Sequence, residues 1–135
     1  MTIALIAHDT KKELMIQFVI AYLGIFSRHY ICATAGTAKS VSDATGLKMH
    51  SFLPGSQGGA QQVGQHISFN EIDLFIFFRD PVSSKTNEPD VDELLKICDI
   101  HMVPVATNQA TAEVLIRGLE EGYLDFRNTI TKTPH

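Results

Sequence analysis

The chain has 135 residues, 44% of them hydrophobic, and a formal net charge of −4 at pH 7. That length and apolar share fit one compact domain, and with no Lys/Arg-dense segment they argue against a general nucleic-acid or membrane-surface binder, which holds its partner with clustered cations. No run approaches the ~18 apolar residues of a membrane span, the opening residues 1–6 lack an export-signal pattern, and Cys32 and Cys98 read as buried reduced thiols, so the expected compartment is the cytoplasm.

Residues 3–7 are a continuous apolar run, the pattern of a strand covered on both faces, and Thr10 with Glu13 predicts a capping box at a helix start. Leu14, Met15, Phe18, Val19, Tyr22 and Leu23 then recur at helical spacing, giving an apolar stripe that ends near Gly24. A second strand is expected at 30–33, followed by a helix capped by Thr37 and stopped at Thr45 and Gly46. Alternating polarity over 48–52 predicts an edge strand, after which a glycine-rich loop leads into a helix over 59–69. Residues 72–78 are the most hydrophobic stretch and the expected central strand. A polar loop over 79–89 precedes a helix starting at Asp90, with Glu93 completing its cap. The last strand is expected at 102–106, and Asn108 caps a helix that carries Val114, Leu115, Ile116 and Leu119 and stops at Gly122. Beyond Arg127 the chain is polar and expected to fray.

Repeated strand-to-helix units predict an α/β domain with a doubly wound, mainly parallel sheet and helices on both sides. Ligands of such sheets sit beyond the carboxyl ends of the strands. That rule gathers His8 and Asp9, residues 34–37, residues 54–60, Arg79 and Asp80, and Thr107 and Asn108 on one rim.

Thr34 and Thr37 flank Gly36 at a helix start, where hydroxyls, backbone amides and the helix dipole can hold a phosphate; an ordinary cap and turn needs the same residues. Gly55, Gly58 and Gly59 permit close backbone approach to an anion, although glycine loops also serve only as turns. Lys12 in the first turn of its helix is unfavourable to the dipole, which suits either an anionic ligand or a solvated surface residue. His8 at a strand end can donate to a ligand oxygen or bond a neighbouring carboxylate. Capping explains Asp90, whereas Asp80, before Pro81, is harder to explain structurally. The other histidines lack zinc-ligand spacing, so no metal is expected.

These segments together resemble methylglyoxal synthase across nearly the whole chain. The likeness rests on residues 3–9 with Lys12, on 44–46, on Gly58 and Gly59 with 61–64, on Phe77-Phe78-Arg79-Asp80-Pro81, on 88–91 and on 104–108. It implies a Rossmann-like three-layer domain over 1–128 with a flexible tail over 129–135, a homohexamer, and elimination of phosphate from dihydroxyacetone phosphate without a cofactor. His8, Lys12, Thr34, Thr37, Gly55, Asp80 and Asp90 fall on family site positions, and Gly36 lies in the phosphate turn. Three positions depart from the family: its catalytic aspartate is Ala60, its loop histidine is Asn87 and its phosphate serine is Pro54. Residues 33–39 also resemble the phosphate loop of methylglyoxal-synthase-like domains in carbamoyl phosphate synthetase and in the purine-biosynthesis transformylase/cyclohydrolase. The expectation is therefore a cytoplasmic family member that binds phosphate or a small phosphorylated metabolite as a sensor, its proton-transfer machinery impaired. Two alternatives stand beside it: an active synthase with Asp80 or Asp90 as base, and an oligomeric interaction protein with a vestigial site.

Overall fold

The fold follows from strands that are apolar on both faces and helices that are apolar on one. A computed structural model describes residues 1–82 and 91–130. Strands β1 (Thr2–Ala7), β2 (Tyr30–Ala33), β3 (His50–Ser51), β4 (Leu74–Phe78) and β5 (Val105–Ala106) form a five-stranded sheet in the order β3-β2-β1-β4-β5. All four pairings are parallel. Helices α1 (Lys12–Ala21), α2 (Leu23–Phe26), α3 (Ala35–Thr45), α4 (Gly59–Ser68), α5 (Val91–His101) and α6 (Gln109–Glu120) cover the sheet.

Successive strand residues point to opposite faces, and the core divides accordingly. Ile3 and Leu5 of β1 with Leu74, Ile76 and Phe78 of β4 pack against Met15, Phe18, Val41 and Ile116 from α1, α3 and α6. Ala4 and Ile6 with Phe75 and Phe77 pack instead against Val63, Ile67, Leu94 and Cys98 from α4 and α5. Each fully buried phenylalanine contributes about 1.5–3 kcal/mol relative to exposure. The doubly wound α/β arrangement expected from the sequence is the one observed, and its strand order reverses between β1 and β4. That reversal opens a crevice at the carboxyl rim.

Several local expectations are corrected. The central strand is β1, with the more hydrophobic β4 between β1 and β5. No capping box forms at Thr10: its hydroxyl donates to Asp80 Oδ2 at 2.7 Å, Asp9–Lys11 take a 3-10 turn, and α1 starts at Lys12. The first helix breaks at Tyr22, whose hydroxyl reaches Glu113 on α6, and Gly24 lies inside α2 rather than at a helix end. The extended residue before α3 is Thr34, while Thr37 is buried within the helix because its hydroxyl accepts from the Ala7 amide. β3 and β5 are two residues each, shorter than their apolar patterns implied. Within the domain expected to reach residue 128, Asp125–Thr129 form a 3-10 turn, and buried Arg127 donates to Asp73 Oδ1 at 3.3 Å and to the Ile72 carbonyl at 3.0 Å; residues 131–135 of the tail expected to fray lie outside the described residues. Gly46 and Gly122, at φ of 73° and 84°, end α3 and follow α6 as their left-handed conformations require. Asn108 caps α6 by accepting from the Thr111 amide at 3.0 Å.

Candidate functional site

Three chain segments meet at the carboxyl ends of β1, β2 and β3. Lys12 opens α1, Thr34, Gly36 and Thr37 open α3, and Pro54, Gly55 and Ser56 form the turn after β3. With Asp9 they line a half-open cavity of about 250 Å³. The Lys12 ammonium lies over the start of α3, so close that a Cβ added to Gly36 would be 3.3 Å from Nζ. Gly36 therefore leaves room for a cation at the positive end of a helix.

The first-turn amides of a helix have no internal acceptor. Here Ala35 N donates to the Leu53 carbonyl at 3.3 Å, joining α3 to the glycine loop. The amides of Gly36 and Thr37 have no backbone acceptor among the described residues, and Thr34 makes no side-chain cap. Thr37 Oγ1 accepts from Ala7 N at 3.1 Å, which leaves its own proton for a further acceptor. Opposite, Gln57 N and Gly59 N both donate to the Pro54 carbonyl, fixing the turn around Gly55. The approach at Gly59 is tight: a Cβ there would fall 1.9 Å from the Leu53 carbonyl oxygen. Lys12 Nζ pairs with Asp9 Oδ1 at 2.6 Å, with 26% and 51% of the side chains exposed. Exposed pairs of this kind are worth only ~0–1 kcal/mol, so an incoming anion can share the ammonium. Ammonium, hydroxyls and free amides on one small cavity suit a tetrahedral oxyanion.

Lys12, Thr34, Gly36, Thr37 and Gly55 are thus brought to one cavity. His8 lies beside it, buried, with Nδ1 accepting from the Asp80 amide at 2.8 Å and its ring edge-on to Phe77. A neutral ring held this way carries its proton on Nε2. The Asp80 carboxylate accepts from Thr10 and from the Val82 amide. Ala60 sits in the first turn of α4, buried in the apolar cluster with Val63 and Ile67, and does not line the cavity. Asn87 and Asp90 lie outside the described residues. Two polar lining residues, Asp9 and Ser56, carry no site role on sequence alone. The signal for Asp9 was its spacing, three residues before Lys12 and one helical turn away.

Fold and cavity define the class: an α/β domain with a doubly wound parallel sheet and an anion-sized polar site on its carboxyl rim. A family model described as the MGS-like domain matches residues 14–107, and the chain belongs to that family. It is 54% identical over 130 residues to a methylglyoxal synthase of Caldicellulosiruptor saccharolyticus, covering 96% of this chain and 92% of that protein. To a methylglyoxal synthase of Thermoanaerobacterium thermosaccharolyticum it is 52% identical over 130 residues, 96% of this chain and 97% of the relative. Among solved structures, methylglyoxal synthase from Elizabethkingia anophelis NUHP1 superposes with a TM-score of 0.84 at 34% identity, covering 85% of this chain and 76% of that one.

Proposed function

We propose that the cavity binds a small phosphorylated metabolite of triose size and that the chain acts on it as its relatives' name implies, converting dihydroxyacetone phosphate to methylglyoxal and phosphate. The observation that carries the binding is the convergence of Lys12, Thr34, Thr37 and the Gly36 and Gly55 backbone on one cavity. Identity of 52–54% to proteins named methylglyoxal synthase, over 96% of the chain, supports the reaction.

In this reading the phosphate lies against Lys12 and the start of α3, and the carbonyl end of the substrate extends towards His8 and Asp80. A rim carboxylate, Asp9 in the cavity wall or Asp80 beside His8, takes a proton from the hydroxymethyl carbon. Once its remaining hydroxyl proton sits on the former carbonyl oxygen, the enediolate expels phosphate, which leaves with the electrons of the carbon–oxygen bond, and the enol of methylglyoxal remains; that enol gives its hydroxyl proton to the phosphate and takes the carboxyl group's proton on its CH2 terminus to give methylglyoxal. No cofactor enters. Lys12 and the α3 amides stabilise the departing dianion, electrostatic help of the kind worth about 10²–10³-fold per donor at other oxyanion sites.

One observation favours a second reading, capture without elimination in the manner of a metabolite sensor. The residue after the glycine pair is Ala60, a buried methyl that can move no proton, and a missing general base costs typically ~10²–10⁴-fold. Methylglyoxal formation from dihydroxyacetone phosphate, measured for the chain, for Lys12→Met and for Ala60→Asp, separates the two. Turnover by the natural sequence that Lys12→Met abolishes supports the synthase. Activity only in Ala60→Asp, with phosphate still raising the melting temperature of the natural chain, supports the sensor. No thermal shift with phosphate or dihydroxyacetone phosphate rejects both and leaves a protein acting through its oligomer surface. A cytoplasmic homohexamer is the assembly proposed with either reading, and light scattering measures its mass.

A further inference from the structure

A second cavity, of about 330 Å³, opens on the same rim on the other side of the His8–Asp80 contact. Lys11 and Arg79 line it with Thr107 and Gln109, over a floor of Leu14 and Phe78. Both cations are half-buried, and neither has a carboxylate within salt-bridge distance among the described residues. Lys11 also stands at the N-cap of α1, where a cation opposes the helix dipole. The start of α6 faces the same space, and Asn108, its cap, already accepts from Thr111 and so offers little compensation. The charged side chains among the described residues that line this cavity are thus both cations, an arrangement that costs free energy unless an anion is bound.

We propose that Lys11 and Arg79 form a second anion site, for a phosphate or carboxylate group, distinct from the Lys12 cavity. The planar Arg79 guanidinium suits either group by paired N–H donation. The loop that carries Arg79 is tied to the far wall, because Arg79 N donates to the Thr107 carbonyl. The adjoining residue Asp80 bonds His8 through its amide. An anion on Arg79 is therefore one residue from the group that orients His8, while each site keeps its own saturation. The proposal is independent of which reaction, if any, the first cavity performs.

The test is a titration of the full chain with inorganic phosphate, and separately with acetate, followed through the backbone amide resonances. In the natural sequence the Thr107 and Gln109 amides shift with their own saturation, apart from Gly36 and Gly55. Lys12→Met weakens the Gly36 and Gly55 response about tenfold or more and leaves Thr107 and Gln109 unchanged. Lys11→Gln with Arg79→Gln does the reverse, and its unshifted spectrum elsewhere reports that it is folded. A response to phosphate alone identifies phosphate esters as the ligand class, and a response to both anions extends it to carboxylates. The proposal fails if Thr107 and Gln109 respond to neither anion. It also fails if their response disappears with Lys12→Met, since the shifts would then report the first cavity.

Discussion

Gly36 is the residue on which the proposed anion cavity turns. Its missing side chain is the space the Lys12 ammonium uses, and both Cε and Nζ would lie within contact distance of an added Cβ, at 3.2 and 3.3 Å. Gly36→Ala is expected to keep the fold, since alanine suits a helix start with ordinary dihedrals, but to push the lysine outward. Phosphate affinity by calorimetry should fall by about tenfold, the worth of one charge-assisted hydrogen bond; unchanged affinity would show that the ammonium does not hold the anion. The glycines and threonines that line this cavity were legible as rim residues because local spacing places them at strand-to-helix turns. Asp9 and Ser56 were placed on the rim but without a role, since a carboxylate or hydroxyl at a strand or turn end has many uses and only the three-dimensional meeting of loops selects one. Ala60 was legible only as a departure from a family pattern, and its burial adds that the position faces the apolar layer under α4.

At the scale of elements, the strands declared themselves because burial on both faces erases polar alternation, as in β1 and β4. Element ends did not, because side chains spent elsewhere decided them: Thr10 bonds Asp80 instead of capping, and Thr37 bonds the β1 backbone. The polar C-terminal stretch shows the same limit. Arg127 lies just before the stretch expected to fray, and composition alone does not show that its guanidinium is buried against Asp73 and donates to the carbonyls of Ile72, His101 and Met102. Asp73 in turn accepts from the Thr2 amide at 2.9 Å, so one ion pair fastens the chain end to the starts of β1 and β4. Arg127→Met should cost about 3–5 kcal/mol in urea denaturation, because it strands a buried carboxylate. Adding Asp73→Asn should recover part of that loss, and simple additivity of the two changes would argue against the coupling.

Across the whole molecule the two thiols report on one side of the sheet, because Cys32 and Cys98 both belong to the layer beneath α4 and α5. Burial pushes each up to about 12, from an ordinary value of 9.0; beside Cys98 the Asp99 carboxylate adds to the rise and Arg127 opposes it. At pH 8 both should therefore resist thiol reagents in the native protein and react promptly in denaturant; rapid native labelling would mean that this layer opens readily. The sign of the linkage follows: the unfolded thiols ionise first, so their stabilising contribution is complete below pH 9 and is lost as pH rises towards 12. Denaturation midpoints measured across that range should fall.

The described wall of the first cavity comes from residues 6–56, whereas, Asp9 apart, the positions where proton transfer would be decided, 60, 80, 87 and 90, all come later in the chain. With Asp80 as the base, the proposed grip and the proposed reactivity lie on separate stretches of the gene. Drift in the later stretch can silence or redirect the chemistry while the earlier stretch goes on recognising the same oxyanion, so lineages of this domain can exchange catalyst for receptor without rebuilding the receptor.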